Sequence, residues 1–111
     1  TSFANKIVEY ISKENLSEIS LEKICNEFHF SKNHIINIFK KEFNVTPIKY
    51  INDLKLRRAK YLLEVTSDTL ESISLKSGFN DYSHFYKLFY QENGISPSMW
   101  RNKKHTNPLP Y

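Results

Sequence analysis

Residues 20–50 (SLEKICNEFHFSKNHIINIFKKEFNVTPIKY) and 69–100 (TLESISLKSGFNDYSHFYKLFYQENGISPSMW) are two copies of one pattern, about 50 positions apart. This repeat limits what the chain can fold into more than any other feature. Leu21 falls opposite Leu70, Glu22 opposite Glu71, Ile24 opposite Ile73 and Phe30 opposite Phe79. After one inserted residue, Ile35 falls opposite Phe85, Phe39 opposite Phe89, Val45 opposite Ile95 and Pro47 opposite Pro97. Each copy reads as two short helices joined by a tight turn. Apolar residues recur at three and four positions rather than at two, and four prolines with two glycines leave little punctuation for a many-stranded sheet. The expected fold is all-α, with seven helices. At 111 residues the chain supports one modest core, so the two copies are expected to share one compact body.

The caps set the element boundaries. Phe3, Ile7, Val8 and Ile11 make one apolar stripe within residues 2–16, expected to pack into the core. Ser20 caps a helix over 21–28, and Ser31 caps the next, to about Phe43. Between them His29 stands where the second copy has Gly78, and histidine visits the left-handed region at lower cost than most residues. Thr46 and Pro47 open a helix to about Val65, with Ile48, Ile51, Leu54, Leu62 and Val65 as its buried stripe. These 19 residues span roughly 28 Å, against about 34 Å for one duplex turn. Thr69 caps the first helix of the second copy, Gly78 turns the chain, and Asn80 or Asp81 caps a helix to about Glu92. Gly94 closes that helix, and Pro97 opens a last short one through Arg101. Residues 105–111 are expected to be a flexible tail.

Several function classes recede on composition. The single cysteine, Cys25, permits no internal disulfide, and no apolar run approaches the roughly 20 residues that cross a bilayer. With no signal-peptide pattern at the start, the expected setting is the cytoplasm, without membrane attachment. There is no Ser/His/Asp order, glycine-rich phosphate loop or paired-carboxylate site, so an enzyme is not expected. His29, His34, His84 and His105 lack metal-ligand spacing, and no metal or cofactor is expected.

Charge is unevenly placed. Net charge is +4, yet residues 30–60 hold eight basic side chains against two acidic ones. Residues 1–29 sum to −2, 61–100 to −3 and 101–111 to +3. A basic stretch of this kind favours a polyanion through phosphate neutralisation and counterion release.

With both copies laid out, the chain resembles the DNA-binding domain of the AraC/XylS family of bacterial transcription regulators. Residues 72–101 carry most of the likeness, through the spaced isoleucine, Gly-Phe, Ser-x-Phe, phenylalanine, Gly-Ile-Ser-Pro and Trp-Arg positions. Residues 54–63 (LKLRRAKYLL) resemble the connector helix and 19–51 the first unit. The resemblance implies a domain over 1–104 with homeodomain-like helix-turn-helix units at about 20–46 and 69–101, joined by a long linker helix over 47–65. Three departures stand out: His29 replaces the usual first-turn glycine, Cys25 and Ser74 take small-residue positions often held by alanine, and the second recognition helix is poor in arginine.

The resemblance further implies that the second helix of each unit enters the major groove, with base-edge contacts from Asn33, Ile36 and Asn37. The same mapping gives Tyr82, Ser83, Tyr86 and Lys87 in the second unit. Asparagine pairs bidentately with adenine, isoleucine suits a thymine methyl, and Lys87 can donate to guanine O6 or N7. Phosphate contacts are expected from Lys32, Lys40 and Lys41, from backbone amides at the helix starts near Ser31 and Asn80, and from Lys55 and Arg101. Ile35, Ile38, Phe39, Phe43, Phe85, Leu88 and Phe89 are expected to face inward. The implied partners are double-stranded DNA, RNA polymerase and a covalently linked regulatory part, either a dimerising small-molecule-binding domain or a response-regulator receiver, which 111 residues do not accommodate. The domain alone is expected to be a monomer and the full-length protein a dimer.

Overall fold

The structure, a computed structural model, describes residues 2–106, with the side chains of 105 and 106 left aside. The described residues form seven helices joined by short turns and loops: α1 (Phe3–Lys13), α2 (Leu21–Phe28), α3 (Lys32–Phe43), α4 (Pro47–Val65), α5 (Leu70–Lys76), α6 (Tyr82–Asn93) and α7 (Pro97–Thr106). No strand occurs among them.

Each helix start has its cap. The hydroxyls of Ser2, Ser20, Ser31 and Thr69 accept from backbone N–H groups three positions on, satisfying donors that helix geometry orphans. Thr46 does the same for Lys49 at the head of α4, and Ser96 for Met99 at the head of α7. For α6 the cap is Asp81, whose Oδ1 accepts from the Ser83 N–H at 2.9 Å.

The helix ends repeat as well. His29 sits at φ 59°, ψ 38°, in the left-handed region the turn demands, and Gly78 occupies φ 104° in the second copy. In both copies the following phenylalanine N–H reaches back five positions, Phe30 to the Cys25 carbonyl at 3.2 Å and Phe79 to the Ser74 carbonyl at 3.0 Å. At the ends of α3 and α6, Asn44 (φ 62°) and Gly94 (φ 75°) take the same left-handed place. Asparagine tolerates it because its short polar side chain can hydrogen-bond the local backbone.

The chain divides into two compact units, residues 1–54 and 55–111, each with its own core, where one shared body was expected. In the first, Ile7 and Ile11 of α1, Ile24 of α2, Ile35 and Phe39 of α3 and Ile51 of α4 are buried together with Ile19. In the second, Leu56, Ala59, Leu62 and Leu63 of α4 meet Ile73 of α5, Phe79 of the turn, and Phe85 and Phe89 of α6. Truncating a fully buried phenylalanine such as Phe39 or Phe89 costs about 3–5 kcal/mol.

Three expectations are corrected here. Ile48 and Val65 are 43% and 57% exposed, because α4 serves two cores in succession and no single apolar stripe runs its length. Phe3 is 48% exposed, its ring set edge-on against Phe30 at 5.1 Å while Ala4, Ile7 and Ile11 take the buried positions of α1. The last helix continues past Arg101 to Thr106; the remainder of the expected tail, 107–111, lies outside the described residues.

Candidate nucleic-acid interface

Helix α3 is anchored from beneath. Ile35 and Phe39 are fully buried, Phe43 sets its ring edge-on to Phe39 at 4.9 Å, and Tyr50 packs on Phe39 from α4 at 5.5 Å. Ile38 and Phe43 are half-buried against the same core. With the inner face fixed, Lys32, Asn33, Asn37, Lys40 and Lys41 are exposed and Ile36 is half-buried. Asn33 and Asn37 stand four positions apart, one helical turn, so both occupy the same side of α3. Three lysines against one glutamate give this helix a positive balance.

Ser31 does two things at once. Its oxygen accepts from the His34 N–H at 3.2 Å, which caps the helix and leaves its own O–H proton available to an external acceptor. The His34 ring rests on Phe30 at 4.2 Å, as His84 rests on Phe79 at 6.0 Å in the second copy. The histidines of α3 and α6 are thus seated on the turn phenylalanines of their own units.

Helix α6 is anchored in the same way by fully buried Phe85 and Phe89, with Leu88 half-buried beside them. Its outer surface differs in chemistry. Tyr82, Tyr86 and Tyr90 follow one another every four residues, with ring centroids 6.4 Å apart at each step and the Tyr86 and Tyr90 planes only 16° from parallel. An open groove of about 380 Å³ runs along this row, lined by Tyr82, Ser83, Tyr86, Lys87, Tyr90 and Gln91. All four base-contact candidates of the second unit therefore line one concavity. Burial, then Glu71 and Tyr86, raises the pKa of the Tyr82 hydroxyl above its ordinary value, so it remains a protonated donor at neutral pH. Tyr90 and Gln91 were not assigned to this set from sequence, although the four-residue recurrence of tyrosine carries the signal for Tyr90.

The phosphate candidates separate into groups. Lys32, Lys40 and Lys41 are exposed on α3. Lys55 is half-buried with its ammonium 5.4 Å from the centre of the Phe79 ring, and burial lowers its pKa from the ordinary lysine value. Asn80 is exposed but does not cap α6; the Asp81 carboxylate does, and it places a negative charge at the amide end of that helix. Arg101 is engaged inside its own unit. Its Nε donates to the Leu63 carbonyl and its Nη2 to the Thr66 carbonyl, each at 3.3 Å, which ties α7 to the end of α4.

A family model of the helix-turn-helix domain matches residues 24–103. The chain belongs to the AraC-type helix-turn-helix family. Members of this family are DNA-binding transcription regulators rather than enzymes. Among similar proteins of Escherichia coli K12, the uncharacterized HTH-type transcriptional regulator YdiP is 32% identical over 97 residues, covering 87% of this chain and 32% of that protein. The HTH-type transcriptional activator RhaR of the same organism is 28% identical over 98 residues, covering 88% of this chain and 35% of that one. The chain thus spans about a third of the length of these curated relatives. An AraC-type transcriptional regulator from Chromobacterium violaceum is similar in structure, with a TM-score of 0.78, 25% identity and coverage of 95% of this chain and 94% of that one. The DNA-binding domain of AdpA, solved with a target DNA, has the same fold at TM-score 0.86 and 15% identity, with 96% of each chain covered.

Proposed function

We propose that this AraC-type domain binds double-stranded DNA in a sequence-specific way and sets α3 and α6 into adjacent segments of the major groove, as part of a bacterial regulator of transcription initiation. The observation that carries the reading is the paired presentation of α3 and α6. Each is the second helix of its repeat, each is anchored by two fully buried residues at matching positions, and each leaves polar side chains outward, joined on α6 by Tyr86 and Tyr90.

On α3, Asn33, Ile36 and Asn37 read base edges, while Ser31, Lys32, Lys40 and Lys41 hold the phosphates that fix the register. On α6, Tyr82, Ser83, Tyr86 and Lys87 face the bases. Lys55 contributes at most one further phosphate contact, and Arg101 stays with α4. The fuller protein would work in the cytoplasm with RNA polymerase as a partner and a regulatory or receiver domain attached.

A duplex titration of the purified domain at graded salt tests the reading. Each neutralised phosphate contributes a log-log slope of about −0.9, so three or four lysine contacts predict a slope near −3. Absence of duplex binding, or binding indifferent to salt, refutes it.

A further inference from the structure

The two recognition helices differ at the positions that the repeat makes equivalent. Where α3 carries Lys32, Ile36 and Lys40, α6 carries Tyr82, Tyr86 and Tyr90. Tyr86 and Tyr90 are 41% and 51% exposed, their rings are stacked, and the row forms one wall of the groove that also holds Ser83, Lys87 and Gln91. The start of α6 bears the Asp81 carboxylate, and Lys87 is the sole lysine on the helix. Such a surface has little with which to hold a phosphate backbone, and ring faces of this size contribute by removing apolar surface from water.

We infer that the α6 groove is a thymine-methyl reader: Tyr86 and Tyr90 pack their rings on the C5-methyl groups of consecutive thymines, while Lys87 and Gln91 fix the neighbouring purines. This deepens the DNA-binding reading and rests on it. In the major groove thymine presents a methyl beside its O4, the only apolar group on any base edge, whereas guanine offers O6 and N7 to lysine and adenine offers N6 and N7 to glutamine. Lys87 and Gln91, interleaved with the rings in one groove, supply those polar partners. The first unit, with two lysines flanking Ile36, grips and reads together; the second reads chiefly by apolar contact.

The test uses the duplex that the purified domain enriches from genomic fragments, with thymines replaced by deoxyuridine one half-site at a time. The replacement removes the methyl and keeps the base pair. The expected result is binding about fourfold weaker for each contacted methyl lost in one half-site, with the share of one methyl abolished in Tyr86→Ala, the share at Tyr90 remaining, and the whole penalty retained in Tyr86→Phe, which keeps the ring. Tyr86 is exposed, and circular dichroism of each variant checks that the helices persist.

A deoxyuridine penalty that is absent, or that survives unchanged in Tyr86→Ala, overturns the inference while binding of the all-thymine duplex leaves the DNA reading standing. Unaltered duplex affinity in Tyr86→Ala also overturns it. Loss of all duplex binding in the unsubstituted domain would sink both.

Discussion

Arg101 donates to the Leu63 carbonyl at 3.3 Å across 38 positions of sequence, and its Nη2 reaches the Thr66 carbonyl at the same distance. The last turn of any helix leaves carbonyls without intrahelical partners, and a guanidinium satisfies two of them with one side chain. Trp100 adds a second tie, its Nε1 donating to Glu64 at 3.2 Å while its ring packs edge-on against Phe89. Replacing Arg101 by Ala should therefore lower unfolding stability by about 1–3 kcal/mol, read from the urea midpoint, with the salt slope of duplex binding unchanged. A slope shallower by about one unit with stability intact would return Arg101 to the phosphate set.

The left-handed residue at the first turn is a point of strain. His29 holds φ 59° with a Cβ that this region disfavours, whereas its counterpart is Gly78. His29→Gly should stabilise the domain by about 0.5–1 kcal/mol, since relief of the steric cost outweighs the added freedom of the unfolded chain. Asn44→Gly, at φ 62°, should gain less, because asparagine already tolerates the conformation. Equal gains at both positions would show that side-chain tolerance is not what separates them.

Ser31 allows stability and binding to be pulled apart. Aspartate caps as well as serine, so Ser31→Asp should leave the urea midpoint within about 0.5 kcal/mol of the unsubstituted domain. The carboxylate cannot donate to a phosphate and would repel it, so duplex affinity should fall by roughly tenfold on specific and nonspecific DNA alike. Retained affinity would remove Ser31 from the interface.

Much of this architecture is legible in the chain itself, because caps and turn residues act locally. Ser20, Ser31 and Thr69 start the helices where their hydroxyls predict, and His29, Gly78 and Gly94 end or turn them where positive φ is needed. Burial along α4 was not legible. Ile48 and Val65 are hydrophobic and correctly spaced, yet they are exposed, since burial depends on which of two cores a given turn of the helix meets. The same holds for Arg101. A basic residue near a helix-turn-helix unit suggests an anion contact, and only the positions of the Leu63 and Thr66 carbonyls reveal what it binds.

Asn37 and Lys41 are both exposed on α3, one assigned to bases and the other to backbone. Asn37→Ala should reduce preference for the specific site by about 5- to 100-fold, the value of one good bidentate base contact, with nonspecific binding little changed. Lys41→Ala should weaken both kinds of binding alike and flatten the salt slope by about one unit. Matching effects from the two substitutions would contradict the division of roles.

The most direct test of two-helix DNA reading is a selection of genomic fragments by the purified domain, followed by footprinting of the enriched site at two salt concentrations. Protection of two major-groove patches about one helical turn apart, at a recurring sequence, is the predicted result. Salt-sensitive binding that enriches no sequence and protects no defined patch would contradict it.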